Sequence, residues 1–316
     1  MSVFIFIVTH MIPADPARVA AGQDATIEMV ERIRVEMGLN KPLPVQYYIY
    51  IRNLLHGDFG RSIMSRKPIL DELLYRFPAT IELSLFSIIF STCLGIPLGI
   101  ISATRRNSVV DYTTRLISMT GMILPVFWVG LMLQLVFYKK LGVFPFGGRI
   151  SLTTEIPPHI TGMYLFDSLL SGQFHTFVDC LHHMVLPGFV LSNVSLAIIA
   201  RVTRSSMLDV LSKDYIRTVR AKGLAERNVI YVHALKNAGL AIMTVVGLRL
   251  GAIIAGAVIT EAIFNWPGIG SYIYKGIENM DYPAIIGATI IISFLFASLN
   301  FIIDILYLLI DPRIKY

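Results

Sequence analysis

The side chains of this sequence with chemistry to offer are few. They are the adjacent His182 and His183, the paired Arg105 and Arg106, the cysteines Cys93 and Cys180, and four charges within or beside apolar runs: Glu82, Arg249, Glu261 and Asp304. Neighbouring histidines on a helix point in different directions and do not clamp one ion, and no Cys/His spacing resembles a zinc site, so no metal is expected. Cys93 lies in an apolar run and Cys180 in a polar connection, which argues against a disulfide. The phosphate-cradling run G-x-x-x-x-G-K-[ST] is absent, as are G-x-S-x-G, H-E-x-x-H and a dinucleotide fingerprint. The chain therefore has no catalytic constellation and is not expected to be an enzyme. Glu82, Glu261 and Asp304 fall toward the ends of apolar runs, and Arg249 is expected to be the most enclosed. Such charges either make interhelical contacts, snorkel, or mark a functional site. They are too few for the acid–base relay of a proton-coupled carrier, so any energy must come from another chain.

The elements that position these residues follow from composition. Of 316 residues, 55% are hydrophobic and 15% charged, with mean hydropathy +0.66. A soluble domain carries about 25% charged residues, so this is an all-α integral membrane protein. Its net charge of +6 sits in short connections between apolar runs, which indicates a lipid bilayer and no nucleic acid. A span needs about 20 apolar residues. Five stretches qualify, near Ala79–Ala103, Leu116–Tyr138, Leu186–Ala200 (continuing past Arg201), Leu240–Phe264 and Ala284–Ile310. Residues 1–8 are apolar but too short, and resemble the end of a first span whose beginning is missing. The bundle thus has about six spans, the first truncated.

Lys and Arg set the orientation. Arg105, Arg106 and Arg115 fill one connection, and Arg201, Arg204, Lys213, Arg217, Arg220, Lys222, Arg227 and Lys236 another. Arg313 and Lys315 end the chain. These face the cytoplasm, with the C-terminus inside, and the balanced segments near 13–78, 139–185 and 265–283 lie outside. The outer N-terminal segment holds two amphipathic helices, Ala25–Met37 stopped by Gly38, and Gln46–Leu55. The organisation is 1–77, a partial span plus periplasmic segment, and 78–312, the transmembrane domain.

The cytoplasmic connection near 205–237 reads as two helices. Met207, Leu208, Leu211, Tyr215, Ile216 and Val219 recur at helical spacing, Gly223 breaks the run, and Val229, Val232, His233 and Lys236 form the second. A basic amphipathic pair suits docking on another protein, or lying on an anionic membrane surface. Gly95-x-x-x-Gly99 around Pro97, and the small residues Gly247, Gly251, Ala255 and Gly256, allow close helix approach. Trp266-Pro267-Gly268 is expected to turn at the membrane interface, before a short helix with Tyr272, Ile273 and Gly276.

The run Asp214-Tyr-Ile-Arg217-Thr-Val-Arg220-Ala221-Lys222-Gly223-Leu224, followed by His233-Ala-Leu-Lys-Asn237, resembles the cytoplasmic EAA loop of dipeptide/oligopeptide ABC importer permeases. So do Glu261-Ala-Ile-Phe-Asn-Trp266-Pro267-Gly268-Ile-Gly270, Asp281-Tyr-Pro283 and Asp311-Pro-Arg-Ile314. Pro78-Ala-Thr-Ile-Glu-Leu83, Gly57-Asp-Phe-Gly-Arg-Ser62 and the stretch from Gly38 to Gln46 complete the match, in order over nearly the whole chain. The resemblance implies a type I importer permease and a second similar permease. It also implies two cytoplasmic ATPases that use the ATP, so that this chain binds no cofactor itself, and a periplasmic solute-binding protein. The loop is implied to enter the ATPase cleft, so that closure on ATP tilts the permease helices. Of the EAA pattern only Gly223 is kept, with Arg217, Thr218 and Val219 at its first three places. Relatives that move glutathione or nickel leave the cargo open. The rivals are a secondary transporter working alone and a membrane-embedded enzyme.

Overall fold

The structure is a computed structural model. It describes residues 3, 6, 7, 16–21, 25–36 and 38–310, without the side chains of 16, 19, 20, 304 and 306–310. The half-span expected at 1–8 (apart from its three described positions), the Asp304 side chain, the basic tail and the Asp311–Ile314 motif lie outside the described residues.

The described chain is helical. Three short helices, α1 (Pro16–Ala21), α2 (Ile27–Glu36) and α3 (Leu43–Leu55), precede the bundle. Gly38, at φ +69°, ends α2, and Leu39 N–H reaches back to Arg34 O at 3.0 Å, as at a left-handed helix cap. The amphipathic face expected on α2 packs weakly: Val30 is buried, but Ile27 is 85% exposed.

The bundle begins earlier than hydropathy suggests. Helix α4 runs unbroken over Ile69–Thr104, through Pro78 and Pro97, because its Asp71 and Glu72 favour a helix N-terminus and its interior is packed. Helix α8 likewise extends to Phe174–Leu211, through Pro187. Cys180 is therefore buried within a helix and not in a polar connection. The two lie against each other at the glycines. A Cβ on Gly99 would sit 2.5 Å from Thr203 Cβ and 2.7 Å from Ala200 O, and one on Gly95 3.0 Å from Ile199 Cγ2. Only glycine permits this approach.

The second expected span is not a single helix. Helix α5 (Val109–Ile123) and α6 (Val126–Leu133, continued by a π-helical turn, Gln134–Lys140) meet at 105°. Pro125 drives Leu124 out of the helical region, to ψ 129°, since the residue before proline avoids it. Helix α7 (Tyr164–Leu170) follows, and α8 leads to a short α9 (Asp214–Ala221). After Gly223, a turn at α10 (Glu226–Asn228) passes through a π-helical stretch, Val229–Ala234, into α11 (Leu235–Ile263). Helices α12 (Ile269–Glu278) and α13 (Tyr282–Ile310) complete the fold. Among the described residues, four helices are long and apolar enough to cross a membrane, or five if the bent pair counts as one span.

The buried core forms layers along the bundle. One cluster at the end carrying the basic connections joins Ile100, Met207, Ile216, Val229 and Ala238. A middle cluster joins Leu83, Met184, Ile199, Ile253 and Trp266. At the opposite end, Ile69 and Leu73 pack against Ile269, Tyr272 and Ala288.

Candidate coupling and translocation elements

At the basic end, α9 is anchored by Ile216, with Val219 partly buried beside it, and is otherwise exposed. Ile216 is fully buried against the ends of α4, α8 and α11, a burial worth about 2 kcal/mol. Asp214, Arg217, Arg220, Ala221, Lys222, Gly223 and Leu224 all face outward. The single helix expected from Met207 to Val219 is divided: α8 carries it to Leu211, and Lys213 is extended at ψ 148°. Gly223 has φ +77° with nothing within 4 Å of an added Cβ, so its requirement is conformational and not steric. Arg220 closes this turn by pairing with Glu226 at 2.6 Å. The buried Asp111 ties the same end together. It accepts from Arg204 at 2.7 and 2.9 Å, Arg115 at 2.5 Å, Ser102 at 2.5 Å and the Asn107 amide at 3.0 Å. The sequence showed Asp111 only as a lone acid among arginines. Its spacing from Arg115, i to i+4, was the one available signal.

At the opposite end the motifs meet in pairs. Glu261 is fully buried and accepts from Thr80 Oγ1 at 2.7 Å and the Ser271 amide at 2.9 Å, capping α12. Thr80 Oγ1 also accepts from the Ile269 amide at 2.8 Å. Helix α11 ends in a Schellman turn: Asn265 has φ +47°, and the Trp266 amide donates to Glu261 O at 2.8 Å. Trp266 is not an interfacial side chain as expected. It is buried and its indole N–H donates to Ala79 O at 2.8 Å. Gly268 and Gly270 are buried while Pro267 is exposed, and a Cβ on Gly270 would lie 2.6 Å from Val258 Cα.

Glu82, two residues on from Thr80 and facing nearly the opposite way from the helix, pairs with Arg149 at 2.5 Å and accepts from the Leu165 amide at 2.6 Å. Arg149 also lies 3.6 Å above the Tyr164 ring, fastening the 141–163 loop over the bundle. On α7, just past that loop, burial pushes Asp167 up, but hydrogen bonds from Thr161, Gly162 and Ile160 outweigh it and hold the carboxyl below its ordinary range. Asp281 accepts from Ser62 Oγ at 2.5 Å and the Met64 amide at 3.1 Å, joining the Gly57–Ser62 and Asp281–Pro283 motifs. Nearby, a cavity of about 800 Å³ is lined by residues that include Gln46, Tyr50, Arg61 and Tyr282.

Arg249 departs from expectation in the other direction. Glu261 and Glu82 are more enclosed, at 0% and 4% exposure, whereas Arg249 is only partly buried and its Nε donates to Ser195 Oγ at 3.2 Å. His182 and His183 bond backbone carbonyls of Val143 and Asp179, and no group of three metal-ligating side chains occurs among the described residues.

Helices of this length, a broken second span and an exposed basic turn define a polytopic helical membrane protein with the ABC transporter permease fold. A chain of the MetNI methionine ABC transporter, in inward-facing conformations, superposes with TM-score 0.56 over 76% of this chain and 96% of that one, at 16% identity. Residues 95–316 match the family described as "Binding-protein-dependent transport system inner membrane component", and residues 1–84 its N-terminal companion. The chain belongs to this family, as a multi-pass inner-membrane permease that is not itself catalytic. A probable D,D-dipeptide transport system permease protein of Escherichia coli K12 is 45% identical over 99% of this chain and 92% of that protein. A dipeptide transport system permease protein of Alkalihalophilus pseudofirmus is 44% identical over 100% and 95%. A glutathione transport system permease protein of Escherichia coli O1:K1 is 36% identical over 100% and 94%.

Proposed function

We propose that this chain is the peptide-translocating permease subunit of an ATP-driven importer. It works with a second permease, two cytoplasmic ATPases and a periplasmic solute-binding protein. The observation that carries the ATPase assignment is the α9–Gly223 turn. Asp214, Arg217, Thr218 and Arg220 face outward on a helix fastened by the buried Ile216, as a docking element requires. The cargo class rests on the dipeptide and glutathione permeases that the chain is similar to over its whole length. In this reading the basic end and C-terminus face the cytoplasm, residues 1–77 form part of a first span with its periplasmic segment, and 78–312 form the transmembrane domain of a six-span type I bundle.

The test combines assembly with topology. Expressed with the other subunits, the tagged chain should co-purify with both ATPases and take up a dipeptide only with ATP and the loaded binding protein. Uptake driven by a proton gradient without the ATPases would support a secondary transporter instead. Reporters after Lys315 and within 217–222 should read cytoplasmic and one near Gly172 external. An external signal within 217–222 would reverse the orientation.

A further inference from the structure

A guanidinium near the middle of a membrane-crossing helix is costly unless it meets a carboxylate or water. Arg249 lies near the centre of α11, among Leu248, Leu250 and the small residues Gly247 and Gly251. Its one hydrogen bond is from Nε to Ser195 Oγ at 3.2 Å, and it forms no ion pair among the described residues. It is only partly buried. Among the described residues the embedded acids are each held: Glu82 by Arg149, Asp111 by Arg115 and Arg204, and Glu261 by Thr80 and Ser271. Arg249 keeps a hydrogen-bonding edge beyond its bond to Ser195, and at this depth a guanidinium calls for water or an anion rather than hydrocarbon.

The neighbouring helix carries a second cation. Arg201 lies six residues beyond Ser195 on α8, about 9 Å nearer the basic end. It is exposed, forms no ion pair among the described residues, and lines a cavity of about 240 Å³ with Thr114, Arg115, Ser118 and Arg204. Arg201 therefore faces α5, on a different side of α8 from the Ser195 that holds Arg249. About two turns from Arg249, away from the basic end, the α11 surface is open: Ala255 is exposed and Gly256 has nothing within 4 Å of an added Cβ.

We propose that Arg249 is a carboxylate-recognising station on the translocation path, holding the cargo's anionic end in transit. The Nε–H bond to Ser195 orients the guanidinium and leaves its Nη groups for a planar, bidentate acceptor. This rests on the peptide-permease reading, because the carboxylate is the anion that every unmodified peptide carries. No residue of the path need hold the cargo tightly, since a station must also release it.

The test uses the complete reconstituted importer and one radiolabelled dipeptide. Arg249→Gln should lower uptake about tenfold or more, by raising the half-saturating concentration of loaded binding protein or lowering the maximal rate. Co-purification of the second permease and ATPases, and ATP hydrolysis stimulated by loaded binding protein, should persist. Arg249→Lys should restore most of the uptake, Arg249→Glu should be worse than Gln, and Ser195→Ala should lie within about twofold of wild type. Unchanged uptake in Arg249→Gln overturns the proposal. So does loss of the second permease from the purified complex, which would make Arg249 an intersubunit ion-pair partner. Failure of the wild-type complex to import any dipeptide overturns the peptide reading, and this assignment with it.

Discussion

Thr80 donates its hydroxyl proton to Glu261 at 2.7 Å, across 181 residues of chain. The bond joins two motifs that lie far apart in sequence, and it sits where α4, α11 and α12 converge. Thr80 Oγ1 in turn accepts from the Ile269 amide, so both residues serve the N-terminus of α12. Removing the carboxylate strands buried donors on both helices, at about 1–3 kcal/mol for each. Glu261→Ala should lower the thermal midpoint of the detergent-purified protein by more than Thr80→Ser, which keeps a hydroxyl. Equal midpoints for the two variants would count against a structural role for this knot.

Two glycines on neighbouring elements should respond oppositely to alanine. A Cβ on Gly270 would collide with the Val258 backbone, so Gly270→Ala should destabilise by about 1–3 kcal/mol. Gly256 lies within α11 in open space, and Gly256→Ala should gain about 0.5–1 kcal/mol in the isolated chain. Thermal unfolding in detergent measures both. In the assembled importer, loss of complex in Gly256→Ala would place another subunit against that face.

The turn at Gly223 offers a selective lesion. With φ at +77°, a β-branched residue there should cost about 1–2 kcal/mol, whereas Asn, which tolerates left-handed backbone, should cost less. Gly223→Val should still insert and bind the second permease but lose uptake and transport-coupled ATP hydrolysis. Arg220→Glu faces Glu226 with a like charge and should weaken capture of the ATPase in a pull-down. Normal capture and uptake in both variants would remove this loop as the coupling element.

Acid should loosen the turn at 160–163 that leads into α7. The carboxyl of Asp167 is held below its ordinary range by Thr161, Gly162 and Ile160. Its stabilisation is therefore complete above the unfolded value, about 3.9, and is lost as pH falls through the lower folded value. Hydrogen exchange of the Thr161 and Gly162 amides, which donate to Asp167 at 2.8 and 2.9 Å, should accelerate over that interval relative to the core. Asp167→Asn should exchange faster at neutral pH and lose the acid-dependent step.

Hydropathy located the spans because burial in a bilayer is a bulk property of about 20 residues, but it missed where helices extend past the apolar run. Helix α8 begins at Phe174, and its polar first turns are kept helical by packing, with Thr176 and Cys180 buried. The break at Pro125 was legible from proline chemistry but was overridden by the uninterrupted apolar run around it. Gly223 was placed correctly at a left-handed turn, because a local backbone rule decides it. The side of the bundle on which a charge would be enclosed was not legible: Arg249 looked the most embedded from its sequence surroundings, while Glu82 finds its cation, Arg149, 67 residues away. The motif pairs behaved likewise. Each was visible as a motif, but nothing local says that Ser62 meets Asp281.

The uninterrupted stretch Glu226–Ile263 is 38 residues long, a rod of about 57 Å. It is closely approached at Gly251, where an added Cβ would lie 3.1 Å from the Phe296 ring and 3.3 Å from Asn300 Oδ1. Taken as a fulcrum, that point divides the rod into arms of about 38 and 18 Å. A sideways stroke delivered beside the Gly223 turn would then reach the Glu261 knot at about half its amplitude, reversed in direction and with correspondingly greater force. A rod pivoted off-centre in this way converts a wide motion at one face of the membrane into a short, strong one at the other.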